Sequence, residues 1–233
     1  MKNLTLSAVL IAASVFSSSN NVTAQKGLQL GFELNPQLSY LYNQDDVDSD
    51  LWERKSAFNG HFGFSGQYGI TENIGVGLNI LYSIQGDKYD WKGTERLKSV
   101  QYFKIPVLFT LNLPFGDNMS FVGKVGPQLS ILTDARLYDA DRKIIKTNYT
   151  AAFASYDFGG MVSAGIGAKL TDQVTLDGSI RFDTGFTNAE SDNFKQNIHN
   201  PFDFVTPSPA SSPRGNTYNM TIGLNVGLRY TFL

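Results

Sequence analysis

Eight stretches of this sequence alternate large apolar residues with small, polar or charged ones at a period of two. No charged residue falls on the apolar side of any of them. Strict alternation marks a strand whose two faces meet different surroundings. In residues 28–42, Leu28, Leu30, Phe32, Leu34, Leu38, Tyr40 and Tyr42 share one face, and Gln29, Gly31, Glu33, Asn35, Gln37 and Ser39 share the other. The same division recurs over 57–68, 74–84, 99–112, 120–132, 156–170, 174–186 and 217–233. The stretches run to roughly 11–17 residues, whereas a strand in a globular protein usually has about 5–6.

The connections alternate too. Short ones, "GITEN", "LPFGDNM" and "TDQ", follow the second, fourth and sixth stretches; long ones occupy 43–56, 85–98, 133–155 and 187–216. Short turns at one end and long loops at the other are the pattern of an outer-membrane barrel, in which a charge turned to lipid at mid-bilayer costs about 2–4 kcal/mol. Native stability is only about 5–15 kcal/mol, so a few misplaced charges would be ruinous.

A soluble barrel could also keep one face free of charge by turning it inward, but volume excludes this. The interior of an eight-stranded barrel only just accommodates side chains. The apolar face carries dozens of Phe, Leu, Ile, Val and Tyr, while the other is largely Gly, Ser, Asn and Thr with charges of both signs. The bulky face must therefore point outward into hydrocarbon. The expected fold is all-β: a small, eight-stranded, antiparallel, up-and-down transmembrane β-barrel.

The inward face then holds a polar network of Glu33, His61, Lys104, Lys124, Asp157, Lys169, Asp177, Arg181, Asp183 and Arg229, in which four acids and five bases can neutralise one another. Aromatics near strand ends suggest interfacial girdles: Tyr40, Tyr42, Phe58, Tyr82, Phe103, Phe186 and Tyr218 at the long-loop end, and Tyr68, Tyr230 and Phe232 at the other.

Residues 1–24 read as a cleaved secretory signal: Lys2, the apolar run "LTLSAVLIAASVF", and small residues at "VTA", leaving Gln25 first and the barrel domain at 25–233. There is no cysteine, so no disulfide or thiolate metal site can form, and the formal net charge of −2 gives no reason to expect nucleic acid.

Candidate chemistry is sparse. His61 lies on the inward face near Ser65 and could enter a hydrolytic site, but a triad needs a nucleophile, a base and an orienting group, and a place in the interior polar network is the simpler role. His199 falls in the longest loop. Asp46, Asp48 and Asp50 have the spacing that opens a calcium loop, yet Leu51 replaces the required Gly and Ala57 the required Glu. "GIG" at 165–167 sits within a strand and is no nucleotide motif. Lys92, Arg96, Lys98, Arg136, Arg142, Lys143 and Lys146 could meet lipid phosphates, and "TPSPASSPRG" has linker composition. No cofactor, metal or catalytic residue is expected.

"YFKIPVLFTLNL", "VGPQLSIL" and "YDFGGMVSAGIGAKLTDQVTLDGSIRFDTGFTN" resemble the PorT-like outer-membrane β-barrel family of Bacteroidetes-type bacteria. The likeness covers essentially all of the chain after the signal. Asn225, Gly227, Tyr230 and Phe232, in "NVGLRYTFL", resemble the C-terminal signal by which such barrels are recognised for insertion, with Leu233 following the final aromatic. The resemblance implies location in the bacterial outer membrane. Outer-membrane lipid and lipopolysaccharide, the barrel-insertion machinery, and a protein bound through the long loops are the partners to expect. The expected role is non-enzymatic: structure, adhesion or binding through those loops. A narrow porin-like channel, or an accessory part in protein secretion as the family's name suggests, is the alternative.

Overall fold

The computed structural model describes residues 27–44, 53–91, 93–146, 149–192 and 215–232. The signal region, Asp46, Asp48, Asp50, His199 and Leu233 lie outside them. Among the described residues there are nine strands: β1 (Gly27–Asn43), β2 (Glu53–Gly69), β3 (Ile74–Trp91), β4 (Thr94–Phe115), β5 (Met119–Asp139), the short β6 (Ile144–Lys146), β7 (Tyr156–Lys169), β8 (Val174–Gly185) and β9 (Thr217–Thr231). Apart from β6, each strand pairs antiparallel with its neighbours in sequence, and β9 returns to pair with β1 from Gln29↔Thr231 to Asn43↔Thr217. The eight long strands thus form a closed ring with no free edge, while β6 attaches to the outer part of β5.

Burial shows which face points where. Phe62, Leu78 and Val107 are about half exposed (48%, 48% and 53%), whereas Glu33 and Arg181 are almost completely covered. Greasy side chains therefore stand on the outside of the ring and ionised ones within it. Outward aromatics pack across neighbouring strands: Phe62 on Tyr82 and Tyr82 on Phe103 form a ladder with ring centroids 5.8 and 5.6 Å apart. At the short-turn end Tyr230 meets Phe232 at 5.0 Å.

Four prolines, Pro36, Pro106, Pro114 and Pro127, lie in the strands. Pro36 has no N–H to donate, and the β1–β9 ladder skips Asn35 and Pro36 between Leu34↔Val226 and Gln37↔Gly223. Pro127 follows Gly126, where an added Cβ would lie 1.8 Å from the carbonyl oxygen of Val107, so only glycine permits this approach of β4 to β5.

Three of the expected long loops are corrected. Residues 85–98 are not a loop: β3 and β4 continue pairing as far as Trp91↔Thr94, past Gly86 (φ +144). Likewise β5 runs to Asp139 within the expected loop 133–155, and β2 begins at Glu53 rather than at residue 57. Once the outward face leaves hydrocarbon it no longer needs apolar residues, so the alternation in hydropathy stops while the hydrogen-bonded ladder does not. Lys55–Asp90 (3.8 Å) and Lys88–Glu95 (3.3 Å) now cross between the strands.

The one buried apolar cluster found among the described residues also belongs to this end. Leu41 of β1, Val100 and Tyr102 of β4, and Ala135 and Leu137 of β5 converge on Tyr149, Ala152 and Phe153. β1 and β4 are three strands apart round the ring, so a cluster joining them spans its bore. The segment is tied down by Tyr149 N–H to Ala135 O (3.0 Å), Ser191 N–H to Ala152 O (3.0 Å) and a bridge between Phe153 and Glu190.

Candidate functional site: the closed lumen

Inward residues alternate with outward ones along every strand of a barrel, so each strand delivers a polar side chain to the bore at every second position. Near the short turns, Arg229 of β9 donates to Gln29 Oε1 (2.6 Å), Gln67 Oε1 (3.3 Å) and Asp177 Oδ1 (2.7 Å). These partners come from β1, β2 and β8, so one guanidinium binds three strands together.

The next layer centres on Arg181. Its Nη1 donates to Glu33 Oε1 (3.1 Å), its Nη2 to Gln128 Oε1 (3.2 Å) and Asp183 Oδ1 (2.8 Å), and its Nε to both oxygens of Asp183. Asn79 Nδ2 also donates to Glu33 (2.9 Å), and Thr221 Oγ1 to Asp183 (3.1 Å). The Lys104 ammonium stands 3.9 Å from Asp183. A buried charge is tolerable only when paired and hydrogen-bonded, and this layer meets both conditions.

Higher in the bore, Asp157 accepts from Thr187 Oγ1 (2.7 Å) and Asn219 Nδ2 (2.7 Å). Asn219 also donates to the Tyr102 hydroxyl (3.2 Å), which joins the polar interior to the apolar cluster above. Lys124 is buried opposite Thr110 and Ser163 and forms no ion pair among the described residues; Lys169 is half-buried at the short-turn mouth.

His61 and Ser65 are not brought together. They lie two inward positions apart on β2, which at about 3.3 Å per residue is some 13 Å. Instead His61 Nδ1 lies 3.1 Å from Gln37 Oε1, and Nε2 has no hydrogen-bond partner among the described residues. Among the described residues no group of three or more His, Cys, Asp or Glu is placed to hold a metal ion.

Sequence reasoning passed over the neutral partners, Gln29, Gln67, Asn79, Gln128, Asn219 and Thr221. The signal was available, because all sit at the same parity as the charges on their strands. It also passed over a buried cluster in the outer hairpins. There Arg54 pairs with Asp87 (2.9 Å) and stacks on Tyr40 and Tyr89, and Lys98 lies over the Tyr89 ring. Asp87 is three residues beyond Ile84, outside the lipid belt. Burial pushes its carboxyl above the usual range, outweighing the opposite pull of Lys98 and Arg54.

Little free space remains. Beside Lys104, Asp157, Asp183 and Asn219 is a cavity of about 10 Å³, room for a single water. At the short-turn end a vestibule lies among Gln29, Gln67, Asn112, Ser120, Lys169 and Arg229. The Arg229 layer forms its floor.

At the C-terminus, Asn225 Nδ2 reaches Glu33 Oε2 (3.5 Å), Gly227 sits opposite Glu33 and Asp177, and Tyr230 and Phe232 face outward at the short-turn end.

A closed ring with apolar residues outside and a paired, charged core inside defines an integral membrane β-barrel. The chain belongs to the family of the outer membrane protein beta-barrel domain, whose profile matches residues 8–232, and it is a protein of the outer membrane. No curated protein matches it in sequence. Among solved structures it is similar to the outer membrane protein OprG of Pseudomonas aeruginosa (12% identity, TM-score 0.49, covering 89% of this chain and 97% of that one). It is also similar to Neisserial surface protein A (13%, 0.47, 89% and 98%) and to Ail, the attachment invasion locus protein of Yersinia pestis (11%, 0.43, 88% and 99%).

Proposed function

We propose that this chain is a non-enzymatic outer-membrane barrel that acts by binding or adhesion through the hairpins at its long-loop end, not by passing solutes through its bore. The observation behind this reading is the filling of the lumen: the Arg229 and Arg181 layers lie beneath an apolar cluster, and the cavity beside Lys104, Asp183 and Asn219 holds about one water. Long loops of such barrels face the cell exterior. The β3–β4 hairpin, held by Arg54, Asp87 and Lys98, gives that side a firm projecting surface. Lipopolysaccharide and an external protein are the partners this surface would meet. Likeness of residues 102–113 and 156–188 to PorT-like barrels supports a membership within that narrower group.

Planar-bilayer recording tests the reading. A baseline without discrete openings supports it, and stable channels overturn it in favour of a narrow pore. The C-terminal segment is the part that the insertion machinery would recognise, with Tyr230 and Phe232 presented outward. Phe232→Ser is expected to lower assembly in cells while leaving refolding into vesicles intact. Equal losses in both assays would refute recognition of this segment.

A further inference from the structure

The lipid-facing wall is not uniformly convex. Gly66 of β2 points outward between Phe64 and Tyr68, and it pairs with Leu30 of β1 on one side and Leu78 of β3 on the other. Where those four side chains stand out from the wall, the glycine leaves a gap. The result is a groove of about 500 Å³, lined almost wholly by apolar atoms, that extends to Ile80 and Val107. It is an open groove in the wall and not an enclosed cavity.

Position and length identify the occupant. The groove runs from the level of Phe64 to that of Tyr68, one residue before β2 ends at Gly69. It therefore belongs to the half of the belt next to the short turns. Four residues of strand span about 13 Å, or about 10 Å of depth at a tilt of ~40°, which lies within the ~15 Å of one leaflet's hydrocarbon. It is continuous with the outward apolar belt of an outer-membrane protein, so the material that reaches it is the hydrocarbon of the bilayer. No charged side chain lines it, which leaves no anchor for a polar ligand. The geometry points to a seat for one acyl chain of a phospholipid from the leaflet at the short-turn side, held more firmly than the lipid around the rest of the ring. This inference uses the membrane location alone and is independent of whether the lumen conducts.

The glycine makes the test clean. A Cβ at Gly66 would meet only Leu30 Cδ2 and Leu78 O, both at 3.7 Å, so a larger residue fits the backbone while filling the groove. Gly178 of β8, three strands round the ring, also points outward, and a Cβ there meets nothing within 4 Å. Wild type, Gly66→Leu and Gly178→Leu are reconstituted into phosphatidylethanolamine–phosphatidylglycerol vesicles, extracted in mild detergent and weighed by native mass spectrometry. Wild type and Gly178→Leu are expected to retain one phospholipid per chain. Gly66→Leu is expected to retain about tenfold less, what ~1.4 kcal/mol of lost contact produces. Leu78→Phe, which fills the same groove from β3, is the second variant should Gly66→Leu fail to fold. Equal retention in all variants overturns the proposal. So does a dimer that Gly66→Leu abolishes, since the groove would then belong to a second copy.

Discussion

Arg181→Met keeps much of the bulk of the central side chain and removes its guanidinium. In the native lumen that group satisfies Glu33, Asp183 and Gln128 together, with its side chain 1% exposed. After substitution Glu33 keeps only Asn79 and Asn225, and Asp183 keeps Thr221 and, at 3.9 Å, the Lys104 ammonium. Two carboxylates that had a shared cation at hydrogen-bonding distance are left with one more distant. Removing one member of a buried ion pair costs about 3–5 kcal/mol, because the abandoned charge cannot reach water. At a urea slope of ~2 kcal/mol per molar, a loss of ~4 kcal/mol lowers the unfolding midpoint by about 2 M. Urea titration of the barrel in phospholipid vesicles, followed by circular dichroism, measures this directly. Arg181→Met/Asp183→Asn removes one orphaned charge and is expected to regain ~1 kcal/mol or more over the sum of the single effects. A midpoint shift below about 0.5 M, or strict additivity, would refute the reasoning, because the carboxylates would then have to be hydrated through an open bore.

Ile80→Arg places a cation on the lipid-facing wall of β3 and is expected to destabilise the barrel by about 2–4 kcal/mol in the same titration. Asp87 tests the outer hairpin. Its carboxyl is raised by burial, so between the usual carboxylate value and the raised one the folded hairpin binds more protons than the unfolded one, and stability rises as pH falls through that window. Amide protection factors near Tyr89 and Arg96 should therefore be higher at the acidic end, and Asp87→Asn should remove the difference. Phe153→Ala takes an aromatic out of the cluster that closes the long-loop end, a change that typically costs about 3–5 kcal/mol in a packed core. Faster proteolysis between residues 139 and 155 is expected, with conductance still at baseline because the Arg181 layer lies beneath.

Much of this fold is legible in the sequence because a barrel obeys parity. Once Leu30 is known to face out, the inward side of Gln29, Gly31 and Glu33 follows without any tertiary information. Lipid enforces the rule, since the energy of one misplaced charge is a large share of the total stability. Pairing within the bore is a different matter. Arg181 and Glu33 lie 148 positions apart on strands separated by β9, and Arg229 meets Asp177 across an offset from its register partner Thr175. Those contacts depend on how far successive strands are staggered and how long side chains cross the bore. Alternation carries neither quantity.

Parity also fails where the membrane ends. Beyond Ile84 the outward side chains become Lys88 and Asp90, and a reader following hydropathy sees a loop although the ladder continues to Trp91. Pairing in water needs hydrogen bonds and compatible charges, not an apolar face, so its signature is weaker than that of the spanning part. The apolar cluster at the long-loop end reverses the rule again. Leu41 and Val100 sit at inward parity, Leu137 is turned inward by the register shift of β5 opposite Gln101 and Tyr102, and all three are buried with Tyr149 and Phe153, because at that level the surroundings outside are water and the interior is the only dry place. One chain therefore has greasy residues outside at the height of the bilayer and inside above it. The crossover, between Phe103 on the outer wall and Tyr102 in the bore, marks on β4 where hydrocarbon gives way to water.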